Sequence, residues 1–351
     1  MNCSVPDLQS APLNQSCAPT PDKYPIFPAV DLVKFLMAFV IIGIHSQIFV
    51  QFKWLDIGFN VFSRIAVPFF FTASAFFFFQ KPTTRAQCTK FTKRILILFI
   101  LYSILFIGVA TLVSGTFAPD MLWITLFSGV RHLWFLHALL FGMLFMALLD
   151  HCIKRRWIIY AIAALCLIFR CTLSTIYVLY DNIPPLVAIH DFFALLPCIG
   201  IWNALFYAFP FIAVGHAIKK TDYRYTLRTN LIGMAISFAI LCIETFVCTR
   251  IIHSESHVLF LACIPLIYFI FSACLQIPYH RQTQNSAPTL FLRKSSTVIY
   301  CIQSMFIIYF VQYFSYGLSL FAVVSVCSAM FAMMVIWGSK TQYGHWLKYL
   351  Q

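Results

Sequence analysis

Apolar residues fall in long blocks along the chain, separated by short polar and mostly basic segments. A helix needs about 20 predominantly apolar residues to cross a bilayer. Runs of that kind lie at roughly 28 to 50, 57 to 79, 95 to 116, 132 to 150, 157 to 179, 199 to 218, 229 to 249, 257 to 277, 296 to 314 and 317 to 338. They predict an all-α fold, a polytopic membrane bundle of about ten transmembrane helices. A polar tail is expected over residues 1–26, a single transmembrane domain over 27–338 and a short tail over 339–351. The longest polar interruptions are the first tail and the segment 278–295, so activity is expected inside the bundle.

Composition agrees, with 61% hydrophobic residues, 10% charged and 39 Phe, against about 25% charged in soluble domains. The net charge of +13 would suggest nucleic acid in a soluble protein. Here its placement matters more. With the N-terminus cytoplasmic, 18 of the 24 Lys and Arg fall on that side, and each even-numbered run is followed by a basic segment. The positive-inside rule and an even number of spans therefore agree, and both termini are expected in the cytoplasm. Thirteen scattered cysteines form no C-x-x-C pair and no zinc spacing, so no metal site is expected. The first 26 residues lack the basic lead-in of a cleaved signal, making run one an uncleaved anchor. Gly is sparse, at 12 residues, and paired Gly/Pro-interrupted segments of the transporter kind are not evident. Two far-side connections, 116–131 and 181–198, are rich in apolar and aromatic residues and suit the membrane interface.

Ionisable groups within apolar runs carry the chemical interest, because a charge in hydrocarbon is costly without a partner or a function. Lys34 and His45 stand eleven residues apart in the first run. On a helix that spacing returns to within about 20° and rises roughly 16 Å, so both face one side. Asp31 shares that side, and at i, i+3 it is placed to pair with Lys34. Arg64 and Arg170 also lie within runs, and Glu244 is a candidate partner for Arg170. An imidazole can act as a general base, and it can equally bond a neighbouring helix. Lys90, Lys93 and Arg94 can bind phosphates or simply obey the positive-inside rule. His253 and His257 flank Glu255 without a third ligand, and no Walker loop, Gly-rich dinucleotide turn or G-x-S-x-G elbow is present.

Several segments, in order, resemble the acyltransferase-3 family of bacterial integral-membrane O-acyltransferases. Asp31-Leu-Val-Lys34 with His45 after ten further residues is similar to its first-helix motif, and Arg64 through Pro68 to Ser74-Ala75 to its second helix. Lys90-Phe-Thr-Lys93-Arg94, His132-Leu-Trp134-Phe135, Asn203 through Pro210 to Gly215, and Tyr300-Cys-Ile-Gln303 resemble later segments, so the likeness spans about 28 to 338. Ala75 replaces a usual Gly, Gln303 a common His and Trp202 a frequent Arg.

The resemblance implies transfer of an acyl group, acetyl being expected, from cytoplasmic acyl-CoA to a sugar hydroxyl of a cell-envelope glycan or glycolipid at the bacterial inner membrane. Acyl-CoA is then a co-substrate, and no cofactor is held permanently. His45, Asp31 and Lys34 are the expected catalytic group. Lys90, Lys93, Arg94 and Arg64 are expected to bind the donor, while Arg131, Trp134, Asn203, Tyr300 and Gln303 face the acceptor or line the cavity. The expected passage runs from the basic mouth beside Lys34 to His45. The alternative is a non-catalytic transporter of an acylated or anionic small molecule through the same groove.

Overall fold

The computed structural model describes residues 27–117, 131–179, 184–185, 188, 203–221, 225–251, 261–277 and 287–351. The expectations for the tail 1–26, for most of the two far-side connections, for Trp202 and for His253, Glu255 and His257 lie outside the described residues. Among those described the regular elements are all helices, with α1 Pro28–Ser46, α2 Lys53–Ser63, α3 Ala66–Phe78, α4 Arg85–Ser114, α5 Trp134–Cys152, α6 Arg156–Leu179, α7 Phe209–Thr221, α8 Leu227–Ile251, α9 Cys263–Gln276, α10 Ala287–Phe310 and α11 Leu318–Gly338. Seven stretches among the described residues are long and apolar enough to cross a membrane. The other three expected spans fall on α7, on α9 with 14 residues, and on α10, which carries Arg293 and Lys294. The protein is a multi-pass membrane helical bundle.

Local sequence sets the helix ends. Pro28 opens α1 where its missing N–H costs nothing. Gln47 closes the helix in the left-handed region at φ 50°, and Ile48 N–H reaches back to the Gly43 carbonyl at 3.1 Å. Thr84 caps α4 by accepting the Gln87 N–H at 3.2 Å, while the Gln87 amide donates to the Phe78 carbonyl at 2.6 Å and closes α3. Between α2 and α3 the helix breaks at Arg64 and Ile65, whose N–H groups bond three residues back, each at 3.3 Å. Pro68 explains the break. It has no N–H for the Arg64 carbonyl, and its ring crowds that carbonyl.

The most extensive pairings set α1 along α10, α10 along α11, α3 along α7 and α8 along α9. At Gly215 of α7 a Cβ would collide with the Thr72 carbonyl of α3, and the Thr72 hydroxyl donates to the Phe211 carbonyl at 3.0 Å. These contacts lock α3 to α7 at close range. Fully buried Phe69, Phe71, Phe76, Phe209, Phe211 and Phe271 fill the space around them. Near the ends of α5 and α7, buried His216 sits 3.1 Å from the Asp150 carboxylate and accepts the Tyr160 hydroxyl at Nδ1, 3.2 Å away. Lys220 approaches the other Asp150 oxygen at 3.5 Å. That polar junction fastens α5, α6 and α7 together.

Candidate active site

A cavity of about 540 Å³ lies between α1, α3, α4, α5 and α10. One end is basic, with Lys81, Arg94 and Arg293 beside Asp31 and Lys34. The opposite end is lined by apolar and aromatic groups, Leu98, Phe135, Leu136 and Leu139, together with Tyr300 and Cys301. Four cations, Lys34, Lys81, Arg94 and Arg293, face one carboxylate, Asp31. Such a surplus at the mouth of a low-dielectric cleft attracts anions and holds phosphate oxygens well.

Asp31 does not pair with Lys34 as expected. Its Oδ2 accepts from Arg293 Nε at 3.1 Å and Nη2 at 2.9 Å, and the carboxylate is only 1% exposed. The guanidinium fork of a facing helix presents two donors to one oxygen, which the ammonium three residues along α1 cannot match. Lys34 is left half-buried on the cavity wall, its Nζ 6.0 Å from the centre of the Phe70 ring. Both α1 residues reach the cavity, as their shared helix side requires.

His45 lies in the last turn of α1, exposed, and does not line this cavity. The continuous passage expected from Lys34 to His45 is absent from the cavity lining. Helix register gives the separation. Asp31 meets Arg293 near the basic end, and the Gly317 N–H, just past α10, bonds the Ser46 carbonyl at 2.8 Å near the other end, so α1 and α10 run side by side. His45 is fourteen residues beyond Asp31 and Cys301 eight beyond Arg293, so the imidazole stands about 9 Å further along than the far end of the cavity. Buried Met37, Ala38 and Ile41 occupy α1 between them.

A family model described as an acyltransferase domain matches residues 27–338, which is the bundle built around this cavity. The chain belongs to the acyltransferase-3 family. It is a membrane acyltransferase by that membership. No curated protein and no solved structure matches the chain.

Within this acyltransferase domain the remaining expected residues separate into two groups. Arg94 lines the cavity and donates to the Gln351 backbone oxygen at 3.3 Å, whereas Lys90 and Lys93, exposed as Arg94 is, stay off the lining. Arg64, half-buried at the break between α2 and α3, is also off the lining. Tyr300 contributes its ring, because its hydroxyl is committed to the His132 carbonyl at 2.9 Å, and His132 in turn meets the Cys301 carbonyl at 2.7 Å. Toward the other end, Trp134 packs edge-on against Tyr207 at 5.6 Å, and the Asn203 side-chain oxygen accepts from Arg170 at 3.0 Å. The guanidinium of Arg170 also lies 5.3 Å from the Tyr207 ring centre. The expected pair with Glu244 does not form, since that carboxylate accepts the Ala262 N–H at 3.0 Å. Only the backbone of Arg131 is described, at the start of the short turn Arg131–Leu133. Gln303 is fully buried, with neither amide atom bonded among the described residues.

Sequence reasoning counted Lys81 and Arg293 only as membrane-orienting charges. Arg293 carried a signal after all, since it lies on a helix face together with Thr297, Tyr300 and Cys301 at helical spacing. A smaller cavity of about 310 Å³ between α1 and α2, containing Gln47, Asp56 and Asn60, was also missed.

Proposed function

We propose that this acyltransferase takes an acyl group, acetyl in the simplest case, from cytoplasmic acyl-CoA and gives it to a sugar hydroxyl on the far side of the bacterial inner membrane. The supporting observation is the cavity whose basic mouth sets four cations against one carboxylate while its depth is apolar. Coenzyme A phosphates suit the mouth near Arg94, Lys81 and Arg293, and its flexible arm suits the depth. The basic mouth is the cytoplasmic end by the positive-inside rule.

His45 is the base in this reading. It takes the proton of the acceptor hydroxyl as that oxygen bonds to the thioester carbon, and the carbon–sulfur bond then breaks to release coenzyme A, whose thiolate receives the proton. For this the thioester must advance beyond Tyr300 and Cys301 by about 9 Å.

Purified protein in detergent, supplied with radiolabelled acetyl-CoA and cell-envelope glycans, tests the reading. Label should appear in the glycan as an ester. A His45→Ala variant should retain acetyl-CoA binding while losing transfer, and transfer by the parent should weaken at acidic pH as the base becomes protonated. Label that crosses sealed vesicles without forming an ester would identify a carrier instead.

A further inference from the structure

A buried primary amide normally satisfies its hydrogen bonds, and leaving one unpaired costs about 1–3 kcal/mol. Gln303 has 0% exposure, and among the described residues neither Oε1 nor Nε2 has a partner. Its position gives that deficit a meaning. Counting from the Asp31–Arg293 pair, Tyr300 is seven residues along α10, Gln303 ten, and the level of His45 fourteen. Gln303 therefore stands about 3 Å, or half a turn, beyond the far end of the donor cavity at Cys301 and about 6 Å short of the imidazole level.

Among the other candidates, the 310 Å³ cavity lies on the α2 side of α1, where Gly43 and Ile44 face, and not on the side shared by Asp31, Lys34 and His45. The Asp150–His216 junction has its groups paired with one another and opens into neither cavity described above. Among the described residues Gln303 joins full burial and unused donors to an axial level between the cavity's far end and the imidazole.

We infer that the Gln303 carboxamide is a catalytic hydrogen-bond donor to the acyl carbonyl of the thioester, an inference that rests on the acyl-transfer reading above. As the acceptor oxygen adds to the carbonyl carbon, the carbonyl electron pair moves to its oxygen, and Gln303 Nε2–H donates to that oxyanion. Collapse re-forms the carbonyl and expels the coenzyme A thiolate, while the acceptor's proton passes through His45 to the thiolate. A donor already stripped of water has no hydration shell to lose when charge develops, and such preorganisation makes an oxyanion site effective.

Gln303→Met keeps the length and an apolar shape. It should lower kcat for acetyl transfer by about 100-fold or more, as loss of one oxyanion donor does. Affinity for acetyl-CoA should stay within about twofold, because donor binding is assigned to the basic mouth. The melting temperature in detergent should hold or rise, since an unsatisfied amide has been removed. A folded variant transferring at the parent rate overturns the assignment, and so does a fall in melting temperature that parallels the fall in activity. If Gln303→Met does not fold, Gln303→Leu, which also removes the N–H donor and puts no charge in the buried site, carries the same expectations. Failure of the parent protein to transfer label to any hydroxyl defeats the acyl-transfer reading itself, a result distinct from an active parent with an indifferent Gln303→Met.

Discussion

The pair between Asp31 and Arg293 offers the sharpest test of the geometry around the basic cavity. Replacing Arg293 with Gln removes the fork and leaves a carboxylate that is 1% exposed without its counter-ion. Breaking a buried pair from one side costs about 3–5 kcal/mol, because the remaining charge is still desolvated. Arg293 is itself 39% exposed and Lys34 stands one turn along α1, so the lower end, about 3 kcal/mol, is expected. Asp31→Asn removes the charge that needs compensation, and the double variant Asp31→Asn/Arg293→Gln should recover much of the loss. Thermal unfolding of the four proteins in one detergent, followed by tryptophan fluorescence and converted to free energy through the unfolding enthalpy, completes the cycle. A coupling of about 2–3 kcal/mol is expected. Losses that simply add, with no recovery in the double variant, would refute a buried pair and the α1–α10 register drawn from it.

Three other outcomes are expected. Arg94→Ala should weaken acetyl-CoA binding about tenfold or more, the worth of a charge-assisted hydrogen bond, while Lys90→Ala and Lys93→Ala change it less than about twofold at physiological salt; isothermal titration at two ionic strengths separates the cases. Gly215→Ala should cost about 1–3 kcal/mol, because the added methyl drives α7 away from the Thr72 carbonyl, and the melting temperature should fall accordingly. Tyr160→Phe should lose about 1 kcal/mol, one neutral hydrogen bond, whereas Asp150→Asn should lose more because it removes the anion facing both His216 and Lys220; the same unfolding assay ranks them.

The helices were legible because bilayer thickness imposes a length on apolar runs. Their partners were less so. Asp31 and Lys34, three residues apart, looked like a pair on one helix, yet the carboxylate is claimed by a guanidinium 262 positions away. Local spacing offers neighbours, and the packing of α1 along α10 decides between them. Arg170 and Glu244 failed as a guess for the same reason: burial required each to have a partner without saying which. The side shared by Asp31 and Lys34 was readable from helical period alone, and both line the cavity. The distance along the axis to His45 was also readable, but the burial of Met37, Ala38 and Ile41 in the interval was not. Pro68 could have announced the interruption at Arg64, since a proline deprives the carbonyl four residues earlier of its donor.

That interruption divides the mechanics of the molecule. α3 is wedged against α7 by the absence of a side chain at Gly215, so the wall it lends to the basic cavity is rigid. α2, joined to it only through two residues with shortened hydrogen bonding, meets the far end of α1 and shares none of that wedge. Bending a helix is easiest where its ladder is already cut. In the proposed reaction, tilting at that break would widen the end nearest the imidazole for a bulky alcohol while the basic mouth keeps its shape, giving the two substrates separate doors.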